Sequence, residues 1–315
     1  MTRRSWIDLV VLSALWGAVY PLITVALRDF PPTLVVLGRV MLAALLLLPL
    51  AVRRDALRPV WSSPWAIIET VLVQSTAPLL LLTYGQQYVS ASVAGILVGA
   101  QPLFVALLAL RFAPDERPQG WRGLTGIVLG LAGLVMLFGV DLSGGRTALL
   151  GGMLILAAAL CYAAGAMMIH RRYAEAPPLG VATSAMLVTT AAVVVPASVT
   201  APIRLPGVDA TAALLVLGIV CTGATLALFY ALITRVGPAR AALAFYLSPA
   251  FAVAFGVIFL REQISVAAIL GLGAIVVGSV LAAHRSEPTP QRTKEADAEH
   301  GDTGHESDSE PGDAG

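Results

Sequence analysis

Two ionisable side chains, Arg39 and Glu69, stand inside stretches of sequence that are otherwise almost wholly apolar. A charge at lipid depth is costly and usually faces a cavity, a partner or a substrate pathway. Arg39 lies about six residues into its run, roughly 9 Å below a membrane boundary at 1.5 Å per residue. There a guanidinium could take a substrate carboxylate, or it could bond loop carbonyls and snorkel toward headgroups. Glu69 lies about five residues, roughly 7 Å, inside the opposite boundary. It could serve as a proton-coupling carboxyl, because burial sets the balance between its charged and neutral forms, or it could sit at the interface near Trp65.

Uncharged polar or aromatic groups inside apolar runs include Trp16, Tyr20, Gln74, Gln101, Tyr162, Tyr230, Tyr246 and Ser248. A buried amide or hydroxyl is expensive unless paired, so these residues either line a cavity or join helices. Tyr84, near the end of its run, fits an interfacial aromatic belt. Pro102 and Pro249 directly follow Gln101 and Ser248 in mid-run. Each removes a backbone donor and frees the carbonyl four residues back, at Val98 and Phe245. Membranes tolerate such interruptions where the freed groups line a cavity or are otherwise satisfied. Both prolines are therefore read as hinges in a cavity wall, with plain kinks as the alternative.

No catalytic set accompanies them. The spans hold no cluster of His, Asp or Glu, no Ser–Lys pair, no Walker-type loop and no nucleotide fingerprint. Cys161 and Cys221 lie in apolar runs without the spaced partners a metal or disulfide framework needs. No catalytic residue, metal or cofactor is expected, an intramembrane enzyme is a remote reading, and nothing points to a nucleic-acid partner.

The elements that must position these residues are long apolar helices. The chain is 57% hydrophobic and only 12% charged, with a mean hydropathy of +0.83. A soluble domain usually runs near a quarter charged, whereas a bilayer core of ~30 Å takes about 20 apolar residues of helix. Apolar windows predict ten helices, at 7–27, 33–52, 65–84, 91–111 and 121–140, then 148–169, 179–199, 212–234, 239–260 and 264–283. The first, although preceded by Arg3 and Arg4, is longer than a signal-peptide core and reads as an uncleaved span.

Loop charges orient the helices. Alternate connections carry 15 of the Arg and Lys residues, among them Arg53, Arg54, Arg58, Arg117, Arg171, Arg172, Arg235 and Lys294. The opposite set holds 4, namely Arg28, Arg146, Arg204 and Arg261. The positive-inside rule then places both termini in the cytoplasm of a cell inner or plasma membrane. From His284 onward the chain is acidic and poor in apolar residues, which predicts a disordered cytoplasmic tail over 284–315. His300 and His305 lie within it as solvated filler.

The two halves resemble each other at a shift of roughly 146 to 148 positions. Trp16-Gly17 falls opposite Tyr162-Ala163, Pro31-Pro32 opposite Pro177-Pro178, and Gln101-Pro102-Leu103-Phe104 opposite Ser248-Pro249-Ala250-Phe251. Five helices per half is an odd number, so the second half enters the membrane inverted, and corresponding loops exchange charge character as that requires. The expected fold is all-α and integral to the membrane, a 5+5 inverted-topology repeat with halves at 1–140 and 148–283. Such repeats are a common build for alternating-access transporters with a midplane site. Gly123, Gly126, Gly130 and Gly133, with Gly271, Ala274 and Gly278, let helices approach closely, either onto a neighbour in the chain or in a homodimer.

Over residues 7–283 the sequence resembles the EamA-type branch of the drug/metabolite transporter superfamily. The resemblance rests on Ser13-Ala14-Leu15-Trp16-Gly17, on Arg39 with Ala43 and Leu47-Leu48-Pro49-Leu50, on Ala94 to Pro102 ahead of Asp115-Glu116, and on Ala241 to Pro249 ahead of Arg261-Glu262. It implies a secondary transporter, often an exporter of amino acids or related metabolites, with a central cavity between the halves. The first span lacks the glutamate that small multidrug-resistance relatives use for proton coupling, having only Asp8 at its edge. A passive facilitator for small neutral solutes is the alternative. Substrate, direction, coupling ion and oligomeric state are not encoded in any motif of this sequence.

Overall fold

Proline and hydroxyl caps set the helix starts in a computed structural model that describes residues 2–112, 120–140, 145–200 and 205–283. Asp115, Glu116, Arg117, Arg204 and the tail 284–315, with His300 and His305, lie outside the described residues. Thr2 caps α1 (Arg3–Ala26), its hydroxyl accepting from Ser5 N at 3.3 Å. Pro32, Pro64 and Pro178 open α2 (Pro32–Arg53), α3 (Pro64–Gly85) and α7 (Pro178–Val199). Proline suits a first helical position, where its missing N–H would have no partner anyway. Ser90 caps α4 (Ala91–Phe112), accepting from Val93 N at 3.2 Å. The others are α5 (Gly120–Val140), α6 (Arg146–Tyr173), α8 (Val208–Ile233), α9 (Leu243–Leu260) and α10 (Val266–Ala283). Gly237, at φ 85, turns the chain between α8 and α9, in a left-handed conformation that glycine adopts without penalty.

Eight of these helices are long and apolar enough to cross a membrane, and shorter apolar stretches, Trp121–Leu137 and Val266–Ala282, occupy α5 and α10. The described residues contain no β-strand. Large apolar side chains crowd the outside, Trp65, Val135 and Phe259 among them, an exposure that water would penalise and lipid does not. The chain is a multi-span membrane protein.

The packing pairs α1 with α8 and α9, α3 and α4 with α6, α2 with α7 and α8, α3 with α7, and α5 with α10. Hydrogen bonds fix which ends share a face. Asp8, at the start of α1, is paired at 2.8 Å with Arg235, in the last helical turn before Gly237. On the opposite face Thr33, at the start of α2, meets Thr200 after α7 at 2.5 Å, and the Asp29 carboxylate accepts from Gly207 N at 2.8 Å.

The two mid-run prolines behave differently. α4 is broken at Gly99–Ala100, where Ala100 N bonds Leu97 O at 3.2 Å in a tightened turn. α9 runs unbroken through Pro249. At the break, Gly99 lacks a Cβ and lets the Pro249 ring press against α4: a Cβ there would lie 2.7 Å from Pro249 Cγ.

The small residues of α5 and α10 face each other within the chain. A Cβ at Gly133 would lie 2.7 Å from Ala274 Cβ, and one at Gly126 2.6 Å from Gly278 O.

Candidate functional site

Two helices depart from α geometry in mid-span. π-helical turns cover Leu72–Thr76 in α3 and Val216–Ala224 in α8. A π turn inserts a residue, loosens the local ladder and is frequent at functional sites. Thr76 and Thr222, one in each π turn, stand 146 positions apart, the shift relating the two halves of the sequence. Each makes an interhelical bond. Thr76 Oγ1 lies 2.9 Å from Thr189 Oγ1 of α7, which also donates to Ser75 Oγ at 3.1 Å. Thr222 Oγ1 accepts from Arg39 Nε at 3.3 Å and donates to Leu217 O at 2.7 Å, an i to i−5 bond that the π turn makes available.

Arg39 is therefore interior, 6% exposed. Tyr20 on α1, Tyr162 on α6 and Cys221 on α8 lie within electrostatic reach of its guanidinium. The Nη1 atom is buried without a hydrogen-bond partner. A desolvated guanidinium with an unfilled donor is costly and makes a ready receptor for a carboxylate. A second orphan lies on α3: Gln74 Oε1 is buried without a partner. That side chain packs where α6 carries Gly165, whose added Cβ would come 2.6 Å from Gln74 Cα. Gly165 is one helical turn from Tyr162, so the unfilled donor and the unfilled acceptor flank the same stretch of α6. The site thus offers one cationic donor and one neutral acceptor, bordered by two tyrosines.

The structure brings Tyr20, Arg39 and Tyr162 within electrostatic reach of one another and sets Gln74 against Gly165, one turn along α6 from Tyr162. Trp16 instead stacks on Phe245 at 4.5 Å between ring centroids and tilts against Phe229 at 5.1 Å. Tyr230 lies 5.9 Å from the Phe229 ring. Tyr246 and Gln101 are half-buried, and Ser248 is buried just before Pro249.

Glu69 is 60% exposed on its side chain and paired with Arg172 at 2.8 Å. Exposed ion pairs contribute about 0–1 kcal/mol, so Glu69→Gln is expected to shift the melting temperature of the purified protein by no more than a degree or two. Loss of pH-gradient dependence in that variant would mark Glu69 as a coupling carboxylate.

Sequence reasoning passed over Thr222, Thr189 and Gln86. Gln86 Nε2 donates to Tyr20 O at 2.9 Å and to Thr24 Oγ1 at 3.1 Å, fixing α1 beside the site. Threonine in an apolar run gives little signal by itself. The recurrence of Thr76 at Thr222 was the available clue.

A polytopic helical membrane protein with a buried, half-satisfied cation between its helices has the makings of a solute carrier rather than a receptor for a soluble partner. The EamA-like transporter family model matches residues 4–139 and again 149–283, and the chain belongs to that family. The inner membrane transporter YedA of Escherichia coli (strain K12), itself uncharacterized, is 29% identical over 279 residues, covering 87% of this chain and 88% of the relative. The uncharacterized transporter YoaV of Bacillus subtilis (strain 168) is 25% identical over 279 residues, covering 87% of this chain and 95% of the relative. A protein of known crystal structure superposes with a TM-score of 0.65 at 20% identity, covering 90% of this chain and 97% of the other. At that identity the likeness concerns the fold alone.

Proposed function

We propose that this chain is a secondary transporter that exports a small zwitterionic metabolite, such as an amino acid, by alternating access. Its ten spans form two oppositely inserted halves, 1–140 and 148–283, with both termini in the cytoplasm. The observation that carries the substrate class is the unpartnered Nη1 of Arg39. A carboxylate there would complete the guanidinium's hydrogen bonding, and the Gln74 amide oxygen would accept from the ammonium. Among the described residues of the spans, Arg39 is the one buried charge, which does not favour a phosphate or a dianion.

The inverted architecture draws support from the helix contacts, which repeat under exchange of the halves. α1 packs on α8 and α9 as α6 packs on α3 and α4, and α2 meets α8 as α7 meets α3. The double family match falls on the same division.

In proteoliposomes, preloaded unlabelled amino acid should drive counterflow of the labelled compound. Failure across amino acids and related zwitterions, with folded protein, would reject the substrate class. Metabolite profiles of overexpressing and deletion strains test direction, since export raises the compound outside the cells. For orientation, alkaline phosphatase fused at Gly145 is expected to be active and at Gly237 inactive; the reverse pattern would place the termini outside.

A further inference from the structure

The turn after α9 is built around a residue that the transport site does not use. Arg261 ends α9 at φ 55, a left-handed conformation uncommon outside glycine. The turn is closed by Glu262 N bonding Gly256 O, six residues back, at 3.1 Å. This reversal aims the Glu262 carboxylate across to the start of α4. Oε1 accepts from Ala91 N at 2.7 Å, and Oε2 accepts from Ser92 N at 2.9 Å and from Ser92 Oγ at 2.5 Å. One carboxylate thus satisfies two otherwise unpaired amides of a helix N-terminus, where negative charge is also favoured by the helix dipole.

The place of this contact gives it a role. α9 packs against the first half of α4, with Gly95 against Ala252, Gly99 against Pro249, and Gly256 against Ser92 and Glu262. Beyond the break at Gly99–Ala100 the second half of α4 packs on α6 and α10 instead. The α4–α9 seam is therefore closed at the end where Glu262 lies and parts toward the other. Ion pairs on the opposite face, Asp8 with Arg235 and Glu69 with Arg172, join α1 to α8 and α3 to α6 and leave this seam uncrossed.

We propose that Glu262 is the latch holding one end of the α4–α9 seam shut, and so a positioning residue that sets which side of the membrane reaches the Arg39 site. The proposal rests on the alternating-access reading. In it, opening that end requires the carboxylate to release the α4 amides, and Pro249 against Gly99 is the fulcrum about which the seam parts.

The test uses Cys221, 2% exposed beside Arg39, as a native reporter in the full chain carrying Cys161→Ser. A membrane-impermeant methanethiosulfonate reagent is applied to right-side-out and to inverted vesicles. Glu262→Gln removes charge-assisted bonds and is expected to speed Cys221 labelling by about tenfold or more, from one side only. Ser92→Ala, which loses one hydroxyl bond, should act in the same direction more weakly, and it carries the test should Glu262→Gln fail to fold by size-exclusion chromatography. Unchanged labelling from both sides in folded variants, or equal acceleration from both, overturns the latch. The side that accelerates reads orientation separately, and the labelling needs no substrate, so a wrong substrate class would leave this result standing.

Discussion

Arg39→Met is expected to reduce transport by at least about a hundredfold while leaving the melting temperature unchanged or higher. The two halves of that expectation have different causes. Truncating one partner of a buried charged pair costs roughly 2–5 kcal/mol of binding, and each 1.4 kcal/mol is about tenfold in affinity. A carboxylate substrate that loses its guanidinium therefore loses most of its occupancy.

Stability runs the other way because the protein does little to satisfy Arg39. Its Nε bond to Thr222 is long at 3.3 Å, and Nη1 has no partner. Replacing a buried, poorly paired charge by an apolar residue of similar length is often neutral or stabilising by about 1–4 kcal/mol. Thr222 is not orphaned by the change, since its hydroxyl still donates to Leu217 O at 2.7 Å. Thermal melts with and without the transported solute, alongside counterflow, separate the alternatives. Substrate should raise the melting temperature of the parent protein and leave that of Arg39→Met unmoved. A structural arginine would instead show a lowered melting temperature, with transport falling only as far as folded protein is lost. Arg39→Lys keeps the charge without the planar fork and is expected to fall between.

The helices were legible in the sequence because lipid imposes a simple rule, about 20 apolar residues between polar breaks, and each observed helix begins or ends within a few residues of its apolar window. Arg39 was legible for the same reason, as a charge in an apolar run. Its surroundings were not. Whether an arginine six residues into a span points inward or snorkels depends on helix rotation, which tertiary packing sets, here the approach of α8 through Gly218. The π turns were equally hidden, since Leu72–Thr76 and Val216–Ala224 carry no residue that marks a lost ladder bond. Trp16 shows the converse limit. Its indole could line a cavity or join helices, and only packing shows Phe229 and Phe245 arriving from α8 and α9 to stack on it. Glu262 was visible as part of a family pattern, while the amides it caps lie some 170 residues earlier in the chain.

Gly278→Ala is expected to lower the melting temperature by several degrees, although alanine is the better helix former by about 1 kcal/mol. The added Cβ would lie 2.5 Å from both Gly126 O and Gly130 N. Both are backbone atoms of α5, so no side chain can rotate away, and α10 must move off as a whole. Overpacking of this kind costs typically about 1–3 kcal/mol, and at roughly 2–4 °C per kcal/mol for a chain above 150 residues the shift is readily measured. Gly273 on the same helix is the control, because a Cβ there meets nothing within 4 Å; Gly273→Ala should hold or raise the melting temperature. The pair also decides what the small residues are for. Gly126 and Gly133 of α5 approach α10 through backbone in the same way, so the stripe is spent on packing within one chain. Gly278→Ala should then destabilise the protein without changing its oligomeric state in detergent. A shift in size with little loss of thermal stability would instead assign the stripe to a contact between copies.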